Sequence, residues 1–125
     1  MSCDCNNDRV ELLIKQGEQR SYIFNITSND GTPVDLSSKE ILVEIKKYPL
    51  YKVKALIEIT LTNMDQGNGY INDPTNGQFT LTLTENESTL NPAEYYLIIT
   101  MISGSERIII SGEGDLSGVL KVCKQ

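Results

Sequence analysis

Between residues 78 and 84 apolar and hydroxyl side chains alternate without a break: Phe79, Leu81 and Leu83 in one phase, Thr80, Thr82 and Thr84 in the other. A period of two is the spacing of a strand with one face in a core and the other in water, and a helix cannot keep such a pattern on one side. The pattern recurs. Residues 9–15 place Val10, Leu12 and Ile14 in one phase, and residues 19–27 set Tyr22, Phe24 and Ile26 against Ser21, Asn25 and Thr27. Ile41, Val43 and Ile45 alternate with Leu42, Glu44 and Lys46, and Ile57, Ile59 and Leu61 with Glu58, Thr60 and Thr62. Residues 95–102 and 107–111 are nearly continuous apolar runs, the expectation for central strands buried on both faces, and residues 119–123 read as a closing strand.

Turn chemistry falls between these runs. Asp30-Gly31 suits a backbone that must visit positive φ, and Ser103-Gly-Ser105 reads as a hairpin loop. Residues 63–77 are crowded with Asn, Asp and Gly, which predicts a loop or loose hairpin around the pair Tyr70-Ile71. Thr84-Glu-Asn-Glu87 fits the capping-box pattern and Pro92 stops whatever starts there, so one short helical turn is expected. About seven to nine short strands with regular turn signals indicate an all-β fold, an antiparallel β-sandwich or barrel. At 125 residues, the whole of 1–125 is expected to form one domain.

The chain contains no histidine, which removes the common Ser-His and Cys-His nucleophile pairs and the usual imidazole metal ligand. Its net charge of -6 repels phosphate backbones, because nucleic-acid binding draws most of its affinity from Lys and Arg, so nucleic acid is not an expected partner. No apolar run approaches the ~20 residues needed to cross a bilayer, and no membrane association is expected. The start, Met1-Ser-Cys-Asp-Cys-Asn-Asn-Asp8, has neither a basic nor an apolar leader region, which points to synthesis and retention in a cytoplasm. On that expectation the acceptor patterns Asn25-Ile-Thr27 and Asn86-Glu-Ser88 go unglycosylated.

Few residues suggest chemistry. Glu113 and Asp115 flank Gly114 at alternate positions, as two cooperating carboxylates would, but carboxylates at that spacing are common at a solvated strand end with a bulge at Gly112 or Gly114. Asp65-Gln-Gly-Asn-Gly69 matches part of a calcium loop, yet Tyr70 stands where the turn glycine belongs and further acidic ligands are missing, so a plain hairpin loop is the better reading. Cys3, Cys5 and Cys123 lie at the two ends of the chain; three thiolates make a poor structural zinc site, and free or buried thiols are expected. Neither a cofactor nor catalysis is therefore expected. One stretch stands out from the acidic background: residues 46–54 gather Lys46, Lys47, Lys52 and Lys54 with Tyr48 and Tyr51 around Pro49. It reads either as a protruding partner-contact loop, with tyrosines supplying rigid contact area and lysines steering toward an acidic neighbour, or as a solvated connection.

Several segments resemble a family of small immunoglobulin-like β-sandwich proteins of tailed-phage virions. They are Gln16-Gly-Glu18, Tyr22-Ile-Phe-Asn-Ile-Thr27, Asp30-Gly-Thr-Pro-Val-Asp-Leu36, Asn76-Gly-Gln-Phe-Thr-Leu-Thr-Leu-Thr84, Leu90-Asn-Pro-Ala-Glu-Tyr-Tyr-Leu97 and Gly112-Glu-Gly-Asp-Leu116, spanning most of the chain. Where such proteins often carry glycine after the proline, this chain has Ala93. The resemblance implies an immunoglobulin-like sandwich and a structural role in a phage particle. It would be a decoration, auxiliary or adaptor protein on the capsid, neck or tail, made in the bacterial cytoplasm and held in multiple copies by other virion proteins of a symmetric assembly. Residues 46–54 and the two termini would then make the contacts. It implies no catalytic residues. The competing reading, a cell-surface or glycan-binding sandwich module, calls for a shallow aromatic groove, and this chain has no tryptophan and only 6% aromatics.

Overall fold

The computed structural model describes residues 11–28, 30–48, 54–111 and 118–124. Nine strands run in chain order: β1 (Glu11–Lys15), β2 (Arg20–Asn25), β3 (Glu40–Lys46), β4 (Ile57–Leu61), β5 (Gly69–Asp73), β6 (Gln78–Leu83), β7 (Ala93–Ser103), β8 (Glu106–Ser111) and β9 (Gly118–Cys123). Helical structure among the described residues is confined to two 3-10 turns, Pro74–Asn76 and Glu87–Thr89.

The strands form two sheets. The larger has the order β1-β9-β7-β3-β4, with β8 also paired to β7; the smaller has the order β2-β6-β5. Every strand pairing is antiparallel except that of β1 with β9, which runs parallel. β7 is the organising strand. One of its edges pairs with β3 from Lys46↔Tyr96 to Glu40↔Ile102, and the other takes β9 along its first half and β8 along its second.

The phase of each alternating run decides what lies between the sheets. Ile41, Val43 and Ile45 from β3, Phe79, Leu81 and Leu83 from β6, and Leu97 and Ile99 from β7 are all buried there. Phe24 stacks on Phe79 with ring centroids 4.8 Å apart, joining β2 to β6 within this layer. Tyr95, near the start of β7, donates its hydroxyl to the Asn91 carbonyl at 2.6 Å. This is the tyrosine corner of immunoglobulin sandwiches, and Leu97, two residues on, occupies the place where antibody domains carry their second cysteine. The fold is thus an immunoglobulin-like β-sandwich whose inter-sheet contact is apolar packing at that point.

Two local expectations are corrected. Of the loop or loose hairpin expected around Tyr70-Ile71 the hairpin is formed, but its first arm is longer than that pair: β5 spans Gly69–Asp73, pairs with β6 through a register shift, and buries Ile71. A Cβ at Gly69 would collide with the Thr80 carbonyl, so glycine is required where β5 meets β6. β8, expected to be central, pairs only with β7, and Ile108 is 44% exposed. The expected helical turn after Thr84 is the 3-10 turn Glu87–Thr89; the Glu87 carboxylate accepts the Thr84 N–H at 2.8 Å, which is one of the two bonds of a capping box, and also the Thr84 hydroxyl at 3.1 Å.

Leu81→Ala is expected to lower the unfolding free energy by about 3 kcal/mol through cavity formation, and Tyr95→Phe by about 1 kcal/mol through loss of one hydrogen bond. Equilibrium urea unfolding of the two variants measures both. A Tyr95→Phe loss as large as that of Leu81→Ala would mean the ring, not the hydroxyl bond, is disturbed.

Candidate partner-contact surface

The lysine-rich stretch begins inside the large sheet. Lys46 is the last residue of β3, in register with Tyr96, and is only 4% exposed. It belongs to the strand and not to a protruding loop, and the expectation that it steers a partner is corrected accordingly. Lys47 and Tyr48 leave the sheet; Lys47 is exposed and Tyr48 is 57% exposed. Lys54 is also exposed, just ahead of β4. Tyr51 and Lys52 lie outside the described residues.

Where β3 ends beside the start of β7, Lys47, Tyr48, Glu94, Tyr95, Tyr96 and Val119 border a shallow hollow of about 360 Å³. It offers one ammonium group, one carboxylate and tyrosine rings on an open surface. That combination suits contact with a protein surface through amphipathic rings. It contains no nucleophile paired with a base. At the other end of β3 a second open hollow, about 460 Å³, is bordered by Ser37, Ser38, Lys39, Glu40, Asn63 and Pro74 among others. Ser38 takes φ 63° there, a left-handed conformation in the turn that feeds β3. Asp35 closes that turn: the bond from the Ser37 hydroxyl first, and then that from the Ser37 N–H at 2.9 Å, hold its carboxyl below the usual range.

Several other polar groups singled out by sequence close turns. Asp65 accepts the N–H groups of Gly67 at 2.9 Å and Gly69 at 3.3 Å, so its carboxylate shapes the entry to β5. The Asn68 amide donates to the Thr82 carbonyl at 3.0 Å and to the Glu87 carboxylate at 2.7 Å. No group of three or more His, Cys, Asp or Glu among the described residues is placed to hold a metal ion. Cys123 is free and half-buried at the end of β9, whereas Cys3 and Cys5 lie outside the described residues, as do Glu113 and Asp115. Among the described residues no helix is long and apolar enough to cross a membrane.

The Asp30 turn shows the same economy of acids. Its Oδ1 accepts the Ser28 hydroxyl, the Thr32 hydroxyl at 2.6 Å and the Thr32 N–H at 3.0 Å, while Gly31 takes φ 87°. These bonds, led by those of the Ser28 and Thr32 hydroxyls, hold the carboxyl at about 2 against an ordinary 3.8. The folded form therefore favours the ionised carboxylate. Its stabilising effect is complete above pH 3.8 and is lost as pH falls through about 2.

No protein-family model matches the chain, and no curated protein matches it. Solved structures share its fold. The N-terminal domain of phage TP901-1 ORF48 superposes with a TM-score of 0.50 at 11% identity, covering 94% of this chain and 84% of that one. The natural killer cell receptor NKp44 gives a TM-score of 0.47 at 15% identity, covering 94% of this chain and 99% of the receptor chain. The ZIG-8–RIG-5 IG1–IG1 heterodimer gives 0.42 at 10% identity, covering 98% and 89%. At these identities the likeness is one of fold.

Asp30→Ala is expected to lower the melting temperature at neutral pH, with the gap to the native protein closing as pH falls from 3.8 through about 2. Thermal unfolding at a series of pH values checks this. A gap that stays constant down to the lowest pH would assign the loss to backbone geometry instead of the carboxylate.

Proposed function

We propose that the chain is a non-enzymatic structural component of a phage particle, docked in multiple copies on capsid, neck or tail proteins. The observation that carries the reading is the fold shared with the N-terminal domain of phage TP901-1 ORF48, in a chain whose strand-and-turn segments resemble phage virion sandwiches over most of its length. The surface chemistry supports it. Among the described residues, acids such as Asp30, Asp65 and Glu87 serve turns, while Lys47, Tyr48 and Lys54 project from the sandwich on a chain of net charge -6. A local cationic and aromatic patch on an acidic protein directs approach to an acidic neighbour without drawing in nucleic acid.

A glycan-binding module is less well supported. In the hollow beside the start of β7 Tyr48 is exposed, but Tyr95 is buried with its hydroxyl held by the Asn91 carbonyl, so its ring face is not offered for sugar stacking.

Reversing Lys47, Lys52 and Lys54 to glutamate, with Lys46 left in place because it is buried, is expected to reduce severalfold the copies retained on purified particles. Quantitative mass spectrometry of the particles reads this. Unchanged occupancy would eliminate the segment as the contact, and absence of the native protein from the particles would eliminate the virion role.

A further inference from the structure

The described strands leave five outer edges, on β1, β2, β4, β5 and β8, and each is a row of backbone donors and acceptors that another strand can join unless something prevents it. Four of the five are defended, β8 by the exposed charges of Glu106 and Arg107 and by a register shift against β7. On β1 the Leu13 carbonyl accepts the Tyr22 hydroxyl at 2.8 Å and the Arg20 guanidinium at 3.1 Å, and the Lys15 N–H donates to the Glu18 carboxylate at 2.9 Å. Burial raises the Tyr22 hydroxyl above its ordinary pKa, which keeps that donor protonated. On β5 the Gly69 N–H goes to Asp65, the Ile71 N–H goes to the Thr62 carbonyl at 2.7 Å, and a register shift and Pro74 follow. β4 is short and carries the exposed Glu58, an edge charge of the kind that discourages pairing.

β2 has none of these devices. Its six residues pair with β6 in unbroken register, with neither proline nor bulge. Two hydrogen bonds fix which way its backbone points. Ile26 donates to the Gly77 carbonyl in continuation of that ladder, and on the far side of β6 Thr82 donates to the Asn68 carbonyl. Odd-numbered β6 residues therefore bond toward β2, Tyr22 and Phe24 bond toward β6, and Ser21, Ile23 and Asn25 direct N–H and C=O outward. No described residue bonds to those outward groups. Ile23, in the middle of the row, is 65% exposed. The only charge on β2, Arg20, is held against Leu13 and the Tyr22 ring.

We infer that β2 pairs with β2 of a second copy, antiparallel across a two-fold axis at Ile23, joining two three-stranded sheets into one continuous sheet. The sequence of the edge fits that symmetry. An isologous contact must be self-complementary, and about Ile23 the strand is a palindrome of chemistry: Ser21 would face Asn25, Tyr22 would face Phe24, and Ile23 would face its own copy. Pairing the outward groups of Ser21, Ile23 and Asn25 forms about six backbone hydrogen bonds. Charge selects the same edge. Two copies of net charge -6 repel, and the outer face beside β2 is built from uncharged groups already bonded to one another: Ser21 with Thr82 at 2.8 Å, Gln78 with Asn25 at 3.0 Å and Thr80 with Asn72 at 3.0 Å. Pairing through β4 would instead bring Glu58 of each copy into the contact. This association does not depend on the phage-particle reading.

Gel filtration with light scattering, run over a micromolar-to-millimolar series, reads the association. The native chain is expected to shift from monomer to dimer mass, Ile23→Lys to raise the dissociation constant roughly tenfold or more by opposing two ammonium groups at the axis, and Thr60→Lys on β4 to leave it unchanged. Circular dichroism confirms that each variant is folded. Amide exchange on the native chain gives a second readout without mutation: the Ser21, Ile23 and Asn25 amides should become more protected as concentration rises. A native chain that remains monomeric throughout, a folded Ile23→Lys that dimerises as well as the native chain, or a Thr60→Lys that dissociates instead would each overturn the inference.

Discussion

β7 has strands along both edges, and the rest of the sandwich follows from how that demand is met. Because its backbone is buried between neighbours, every N–H and C=O must find a partner in β3, β8 or β9. β3 supplies one uninterrupted register along one edge, while the other edge needs two strands in succession. β1 then lies parallel to β9 on the outer side, so the first described strand and the last are neighbours. The inward side chains of β7, Leu97 and Ile99 among them, meet those of β6 and fix the separation of the sheets.

That arrangement leaves polar side chains chiefly at turns, and the turns claim many of them. A carboxylate that accepts several local N–H and O–H groups, as Asp30 does, is held in its ionised form, and the bonds that Asp30 and Asp65 accept leave each with fewer lone pairs to offer a ligand. Asp65, which matched part of a cation loop in the sequence, is therefore better understood as a means by which the chain turns into β5. On the strands themselves exposed acids such as Glu11, Glu58, Glu94 and Glu106 remain, and Lys47, Tyr48 and Lys54 are exposed at the strand ends.

Much of this was legible from the spacing of apolar residues. The alternations at residues 41–46, 57–62 and 78–84 correspond to β3, β4 and β6; in β4 and β6 the buried residues are those in the apolar phase, while in β3 Leu42 and Lys46 of the opposite phase are buried as well. Legibility failed where partners outweighed local composition. β5 reads as a loop or a loose hairpin around Tyr70-Ile71 because Gly69, Asn72 and Asp73 are poor strand formers, yet β6 provides a ladder for all of Gly69–Asp73 and the core provides a site for Ile71. β8 reads as central because its isoleucines are consecutive, and sequence carries no record of how many neighbours a strand will have. In the candidate contact stretch, composition marked the segment but could not separate Lys46, drawn into β3, from Lys47 and Tyr48, which leave it. Ile23 was the missed signal: an apolar residue in the polar phase of β2, out of step with Ser21 and Asn25.

An out-of-phase residue of this kind has a physical meaning. On a strand with one buried face, an isoleucine on the wet face leaves apolar area in water and contributes nothing to the core. A fold that must avoid edge-to-edge association carries a charge or a proline at such a position, as Glu58 illustrates on β4, because an exposed, regular, apolar edge invites pairing. β1 and β2 sharpen the contrast. The side chains of Arg20 and Tyr22 are drawn from β2 to cover the backbone of β1, which closes one edge with donors taken from a strand whose own outward groups no described residue bonds. Were both edges equally undesirable, Arg20 would protect its own strand better by projecting from it. The asymmetry is what a fold requires if one edge is to be sealed and its neighbour kept available for a matching strand.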